Sequence, residues 1–429
     1  MAVKKGKWVS AQEAIHAIKA GQRVLVGEAC GEPQTLVEAL LENKEYLKGI
    51  EVVPGSLVGG RPYLQAGLEE FFHFLTFHVT PDTTHGVGEG WIDYIPIRRE
   101  EVPTLFQPGG TMPLDVALIQ VTPPDERGYC SLGVVAGHTL AGALNARTVI
   151  AEVNEQMPWT HGDTIIPLAK LDYLVKSSRP VLTFADPPVG EEEKRIGQYV
   201  AELVPDGATL ELGIGALPVA VLSSLNGKRE LGIHSGMITD SVLDLIERGV
   251  ITNARKSIDR GKTVTGLLMG SERLYRYAHR NPNVEVKPVD YTHAIKTLAQ
   301  IDNFMALNSA VEVDLTGQVN AESLGKRQIS GVGGQADFIR GAALSKGGKS
   351  IITMNSTARN GEISRIVPFI GNGAYVTTPR FDNHYVVTEF GIAELRGKTL
   401  TQRAEALIKI AHPKFQEELR RSYAASFRK

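Results

Sequence analysis

Residues 207–240 read GATLELGIGALPVAVLSSLNGKRELGIHSGMITD. The run ATLEL is short and rich in strand formers, and PVAVLSSL after it carries a helical pattern. A second short run, LGIHS, follows a polar turn. Two strands joined through a helix pair in parallel, because only parallel neighbours need such a crossover. The same alternation recurs around QRVLVGE (22–28), LDVALIQVT (114–122), RTVIAEV (147–153), KSIITM (349–354) and HYVVTEFG (384–391). The fold class is therefore α/β with parallel-rich sheets. A chain of 429 residues exceeds one ordinary core, so two tandem α/β domains are expected. The segment SSRPVLTFADPPVGEEEKRIGQYVAELV (177–204) carries three prolines and an acidic run before opening a helical pattern. It sets the boundary: residues 1–185 form the first domain and 186–429 the second. The last stretch, LTQRAEALIKIAHPKFQEELRRSYAASFRK (400–429), reads as an amphipathic helix broken near Pro413, suited to packing or oligomer contact.

Composition narrows the function. Apolar residues make up 42% and charged residues 22%, and the formal charge is −2, so nothing favours nucleic acid or an acidic membrane. No run nears the ~18 apolar residues of a membrane span. The N-terminal MAVKKGKWVSAQEA lacks the apolar stretch of a signal peptide, and a cytoplasmic location is expected. Cys30 and Cys130 are the only cysteines, too few for a disulfide framework or a Cys-rich zinc site. Cys130 reads as a buried inert thiol rather than a nucleophile.

Several motifs fail on spacing. Three Gly-Lys-Ser/Thr tripeptides begin at Gly261, Gly348 and Gly397, but the glycine a phosphate loop needs five residues earlier is Lys256, Ala343 or Ile392. HExxH and GxSxG are absent, which argues against a zinc enzyme and a serine hydrolase. His161 and His234 fit none of these templates. Two glycine-rich turns carry more weight. Gly213-Ile-Gly215 follows the strand ATLEL and opens a helix, and Gly331-Val-Gly333-Gly334-Gln335 opens the helical pattern ADFIRGAAL. Clustered glycines at a helix start let backbone N–H groups approach an anion or carbonyl oxygen. Glu211 lies at an apolar strand end, where a carboxylate needs a function or an ion-pair partner. If ATLEL and LGIHS are neighbours about 4.8 Å apart, Glu211 and Gly236 flank one pocket.

In order and over nearly the whole length, these motifs resemble the acetyl-CoA hydrolase/transferase family, which includes 4-hydroxybutyrate and butyryl-CoA:acetate CoA-transferases. The segments that carry the resemblance are DVALIQVTPPDERGYCSLGV, VIAEVNEQMPWTHGDT, GATLELGIGALP, LGIHSGMITDSV, VDLTGQVNAESLGKRQISGVGGQADFIRGA and HYVVTEFGIAELRGKTL. The resemblance implies two α/β domains with a cleft between them and a ping-pong reaction through a glutamate. Coenzyme A is then a substrate rather than a tightly bound cofactor, no metal is involved, and the partners are an acyl-CoA and a short-chain carboxylate. It implies a homodimer or larger homo-oligomer, oxyanion and CoA contacts from Gly213, Gly215, Gly331, Gly333, Gly334 and Gln335, and carboxylate-pocket roles for Asn320 and Glu389. Beside these stand simpler readings: a turn asparagine at 320 and a helix N-terminal acid at 389. Arg340 and Lys349 are candidates to meet the CoA phosphates. GVGEGWIDY (86–94) and GHTLAGA (137–143) are candidate acyl-pocket segments.

Two positions depart from the family pattern. Relatives that use the glutamyl route carry glutamate in the segment resembling IHSGMITD, where this chain has Gly236, and typically glutamine where it has Glu211. Three readings follow. The first is a CoA-transferase whose nucleophile has moved to Glu211, acting on acetyl, butyryl or 4-hydroxybutyryl groups. The second is an acyl-CoA hydrolase, with water in the space at Gly236 and Glu211 or His234 as base. The third is a non-catalytic acyl-CoA binding protein.

Overall fold

The protein is described by a computed structural model over residues 6–55 and 67–427. It divides into two compact units. One comprises the chain up to Ala185 with Gly236–Asp240 and Val264–Thr292; the other comprises Asp186–Ser235, Ser241–Thr263 and the chain from His293. The change of unit at 185/186 falls in the proline-rich segment, but the chain then returns twice to the first unit.

The first unit holds an eight-stranded sheet in the order Lys7–Trp8, Tyr173–Ser177, Thr148–Asn154, Val116–Val121, Arg23–Val26, Ile50–Pro54, Phe72–Thr76, Ile92–Tyr94. Every neighbouring pair is parallel. Val116–Val121 is buried at every position, as a strand covered on both faces must be. From Arg23–Val26 the chain winds outward through three strands, then starts again on the other side with Val116–Val121. That reversal opens a crevice at the carboxyl end of Arg23–Val26. A phosphate commonly sits there on the next helix's N-terminus. Here the chain's own Glu152 fills that place, accepting from the Thr35 N–H at 2.7 Å, the Leu36 N–H at 3.4 Å and the Thr35 hydroxyl at 2.9 Å.

In the second unit Tyr385–Thr388, Lys349–Thr353, Phe304–Ser309, Thr209–Leu212 and the start of Gly232–Ile238 pair in parallel, with Gly391–Glu394 folded back antiparallel on the edge. All seven runs read from the sequence form strands. The strand Gly232–Ile238 continues past the run LGIHS, so Gly236 lies inside it. Met237 and Ile238 carry the extended chain onward, with Ile238 buried. Helix Gln335–Leu344 packs Phe338 and Ala342 into the core beside Phe304 and Ala306, and Ile339 into the cluster that holds Ile352 and Val386. The C-terminal stretch forms two helices, Leu400–Ile410 and Pro413–Phe427. Thr399 caps the first in a reciprocal bond set with Gln402, and Pro413 opens the second, where its missing N–H has no helical partner to lose. Among the described residues no helix is long and apolar enough to cross a membrane.

Candidate active site

Glu211 is the third residue of the strand Thr209–Leu212. Its register partner on Phe304–Ser309 is Ala306, and on the other flank Leu210 pairs with Ile233, so the next step sets Glu211 beside His234. The carboxylate is only 4% exposed. It receives one side-chain hydrogen bond, from Asn308 Nδ2 to Oε2 at 3.0 Å. Burial pushes the carboxyl up to about 8, against the opposing pull of the Asn308 amide and the Leu307 backbone. No lysine or arginine among the described residues neutralises it, which leaves the ion-pair reading of this position without a partner.

Ser235 fixes the chain just before Gly236. Its hydroxyl donates to the Leu212 carbonyl at 3.0 Å and lies 3.3 Å from the Leu212 N–H. Beyond Leu212 the chain turns through Gly213 and Gly215 into the helix Ala216–Ser224. Gly215 has φ 118°, a conformation that disfavours any side chain, and both glycines face open space. The second glycine turn is built differently. Gly333 has φ 56°, and Gly334 caps the helix Gln335–Leu344 against the His293 ring. A Cβ on Gly334 would come within 2.7 Å of that imidazole, so glycine is required by packing. Gly331 is buried at the start of this turn, and Gln335 Nε2 donates to Thr378 Oγ1 at 3.0 Å.

Other predicted site residues are engaged within their own neighbourhoods. Asn320 Nδ2 donates to Glu312 and to the Ser323 carbonyl, and its Oδ1 accepts the Glu322 and Ser323 amides, the pattern of a turn asparagine. Glu389 lies in the turn between Tyr385–Thr388 and Gly391–Glu394, not at a helix start, and accepts from the Ser356 amide and hydroxyl. Arg340 pairs with Asp382 at 3.3 Å, and Lys349 donates to the Leu203 carbonyl and lies over the Tyr385 ring. His234 is fully buried, edge-on to Phe304 and 3.9 Å from Asp259. His161 sits in the short strand His161–Gly162, paired with Val284–Val286. Cys130 is fully buried and its thiol is pushed up to about 12 by burial and then by Asp125, so it stays protonated. In the segment 86–94, Trp91 and Ile92 pack into the first unit's core with Phe74. Among the described residues no three His, Cys, Asp or Glu side chains are grouped to hold a metal.

Sequence reasoning missed Asn308 and Ser235, and in the first unit it missed Glu28. Glu28 sits at the crevice beyond Arg23–Val26 and is fully buried. Its Oε2 is 3.0 Å from Arg99, and its Oε1 accepts the His138 backbone N–H at 2.7 Å. Burial raises its carboxyl, but His138, Arg99 and the His138 and Thr139 backbone outweigh it, so the group stays ionised. Gly55 and Gly137 press against it, with no space for a Cβ. The signal was in the sequence: an acid at or just past the end of an apolar strand, as at Glu211.

Comparison with known proteins gives this geometry its context. Residues 4–185 match the acetyl-CoA hydrolase/transferase N-terminal domain, and residues 270–423 match the C-terminal domain of that family. The chain belongs to the acetyl-CoA hydrolase/transferase family. A 4-hydroxybutyrate coenzyme A transferase from Clostridium kluyveri is 48% identical, covering 99% of this chain and 98% of its own. A butyryl-CoA:acetate CoA-transferase from Anaerostipes caccae is 37% identical over 96% of this chain and 95% of its own. Among solved structures, RipA from Yersinia pestis superposes with TM-score 0.92 at 35% identity, covering 98% of this chain and 97% of that one. The chain is an enzyme of the family's CoA-transferase and acyl-CoA hydrolase class. In this chain position 211 is a buried glutamate, and position 236 is a glycine with no side chain.

Proposed function

We propose that this enzyme transfers CoA between a short-chain acyl-CoA and a carboxylic acid, with Glu211 as the covalent carrier. The observation that carries the reading is a carboxylate buried at a strand's carboxyl end with a single neutral side-chain donor. Such a group is expensive to bury unless it has a reaction to perform. Acetyl, butyryl and 4-hydroxybutyryl groups are the candidate acyl chains, and the names of the relatives support this range.

In the first step ionised Glu211 attacks the thioester carbonyl. The C–S bond breaks, CoA leaves as thiolate, and an acyl-glutamyl anhydride remains. The thiolate then attacks the Glu211 side-chain carbonyl. That step releases the first acid as its carboxylate and leaves CoA as a glutamyl thioester. An incoming carboxylate runs the two steps in reverse. Each tetrahedral oxyanion needs N–H donors, for which the open Gly213–Gly215 turn and the GVGGQ turn are the candidates. Because the carboxyl ionises near pH 8, the first step should speed up as pH rises towards that value.

The test follows CoA in two ways: exchange between acetyl-CoA and labelled short-chain acids, and free thiol release with and without acid. Acid-dependent exchange that disappears in Glu211→Gln supports the transferase. Thiol release at one rate regardless of acid would make the enzyme a hydrolase and overturn the carrier role.

A further inference from the structure

The geometry points to Asn308 as the residue that positions Glu211 and sets its ionisation for attack. This rests on the reading of Glu211 as nucleophile. Asn308 is two residues beyond Ala306, the register partner of Glu211, so both side chains project from the same face of the sheet. From there its Nδ2 reaches Glu211 Oε2 at 3.0 Å. Asn308 is itself fixed: it pairs with Ile352 on the next strand, and its carbonyl accepts from Thr353 Oγ1 at 3.3 Å.

The choice of a neutral amide has a chemical reason. Glu211 must carry a charge to attack the substrate and carries none while it is an anhydride or a thioester. A lysine or arginine at 308 would hold the carboxylate ionised, then be left buried and unpaired at each covalent stage. An apolar residue would push the carboxyl higher still and leave less of it ionised at neutral pH. The amide serves both states, stabilising the anion by one hydrogen bond and leaving no charge stranded when the anion is consumed. The other titratable groups near this face do not hydrogen-bond Glu211. His234 on the adjacent strand is near Asp259, Lys256 donates to the Ile233 and Lys262 carbonyls, and Asp337 lies on the helix packed over Phe304–Ser309.

Two variants test this, read first without catalysis. In protein carrying carbon-13 at glutamate side-chain carboxyls, the Glu211 signal is assigned by its loss in Glu211→Gln and then titrated. Asn308→Ala should move the midpoint up by about one pH unit, and Asn308→Asp should move it further because a second carboxylate faces the first. The acylation rate at pH 7 should fall about tenfold in Asn308→Ala and recover at high pH, since one unit of pKa is a factor of ten in ionised fraction. Unchanged midpoints in variants that fold normally would overturn the positioning role. The outcomes separate from those for the carrier itself: shifted midpoints together with undiminished exchange in Glu211→Gln would sink Glu211 as nucleophile and leave the Asn308 contact intact.

Discussion

Glu28 and Glu211 are both carboxylates buried just beyond or within a parallel strand's carboxyl end, one in each unit, and the chain treats them in opposite ways. Glu28 is given Arg99 and a backbone N–H, with the His138 ring 3.2 Å away, and its carboxyl is held below the usual range. Glu211 is given one asparagine amide and a backbone contact, and burial raises its carboxyl to about 8. A compensated carboxylate is already satisfied and ties three chain segments together. An uncompensated one can still react. On the proposed reading, burial alone does not mark the working acid; the shortage of partners does.

The largest expected effect is on activity. Glu211→Gln keeps the shape and the Asn308 contact, and CoA exchange should fall about 10⁴-fold or more, as when a covalent nucleophile is removed. Glu28→Gln should leave the exchange chemistry within about tenfold if the protein folds. Equal losses in the two variants would erase the distinction between them.

Stability should show the reverse order. Arg99→Ala strands the Glu28 charge and should cost about 3–5 kcal/mol, measured by urea unfolding. Trp8, Trp91 and Trp159 are the only tryptophans and all lie in the first unit, so their fluorescence reports on it. A loss below about 1 kcal/mol would mean that the pair is not what holds Glu28.

The two sites should also carry opposite pH signatures. Glu211 has a raised carboxyl, so its contribution to stability is full below about 4.5 and declines as pH climbs towards about 8. Glu28 has a lowered one, so its contribution is present above 4.5 and fades as pH falls below that. His78 and His138 are held down to about 4 by burial first, with Arg99 adding to it, so the first unit also weakens as pH drops from 6.5 towards 4. Urea midpoints of wild type minus Glu211→Gln should thus fall from pH 5 to 9, while wild type minus Glu28→Gln should fall only on acidification. Parallel trends would break the comparison. The smallest effect expected is at Gly215, where alanine meets open space but an unfavourable backbone, a cost of about 1–3 kcal/mol in urea unfolding.

Local features were legible in the sequence. Each quoted strand formed, both glycine turns open helices, and Pro413 opens the last one. These depend on neighbours a few residues apart. The partners that give each acid its character are remote: Asn308 is 97 residues from Glu211, and Arg99 and His138 are 71 and 110 residues from Glu28. Only strand register brings them together, and one sequence does not state register. For the same reason Lys349, chosen for its charge, is found committed to the Leu203 carbonyl, 146 residues away. The return of 236–240 and 264–292 to the first unit was equally silent, because a strand in either unit has the same alternation.

The most direct test is peptide mass mapping of the enzyme after brief incubation with acetyl-CoA and quenching in acid. A CoA adduct, less one water, on the peptide containing Glu211, and its loss in Glu211→Gln, is the expected result. An adduct on another residue, or acid-dependent exchange with no adduct trapped and undiminished in Glu211→Gln, would contradict it.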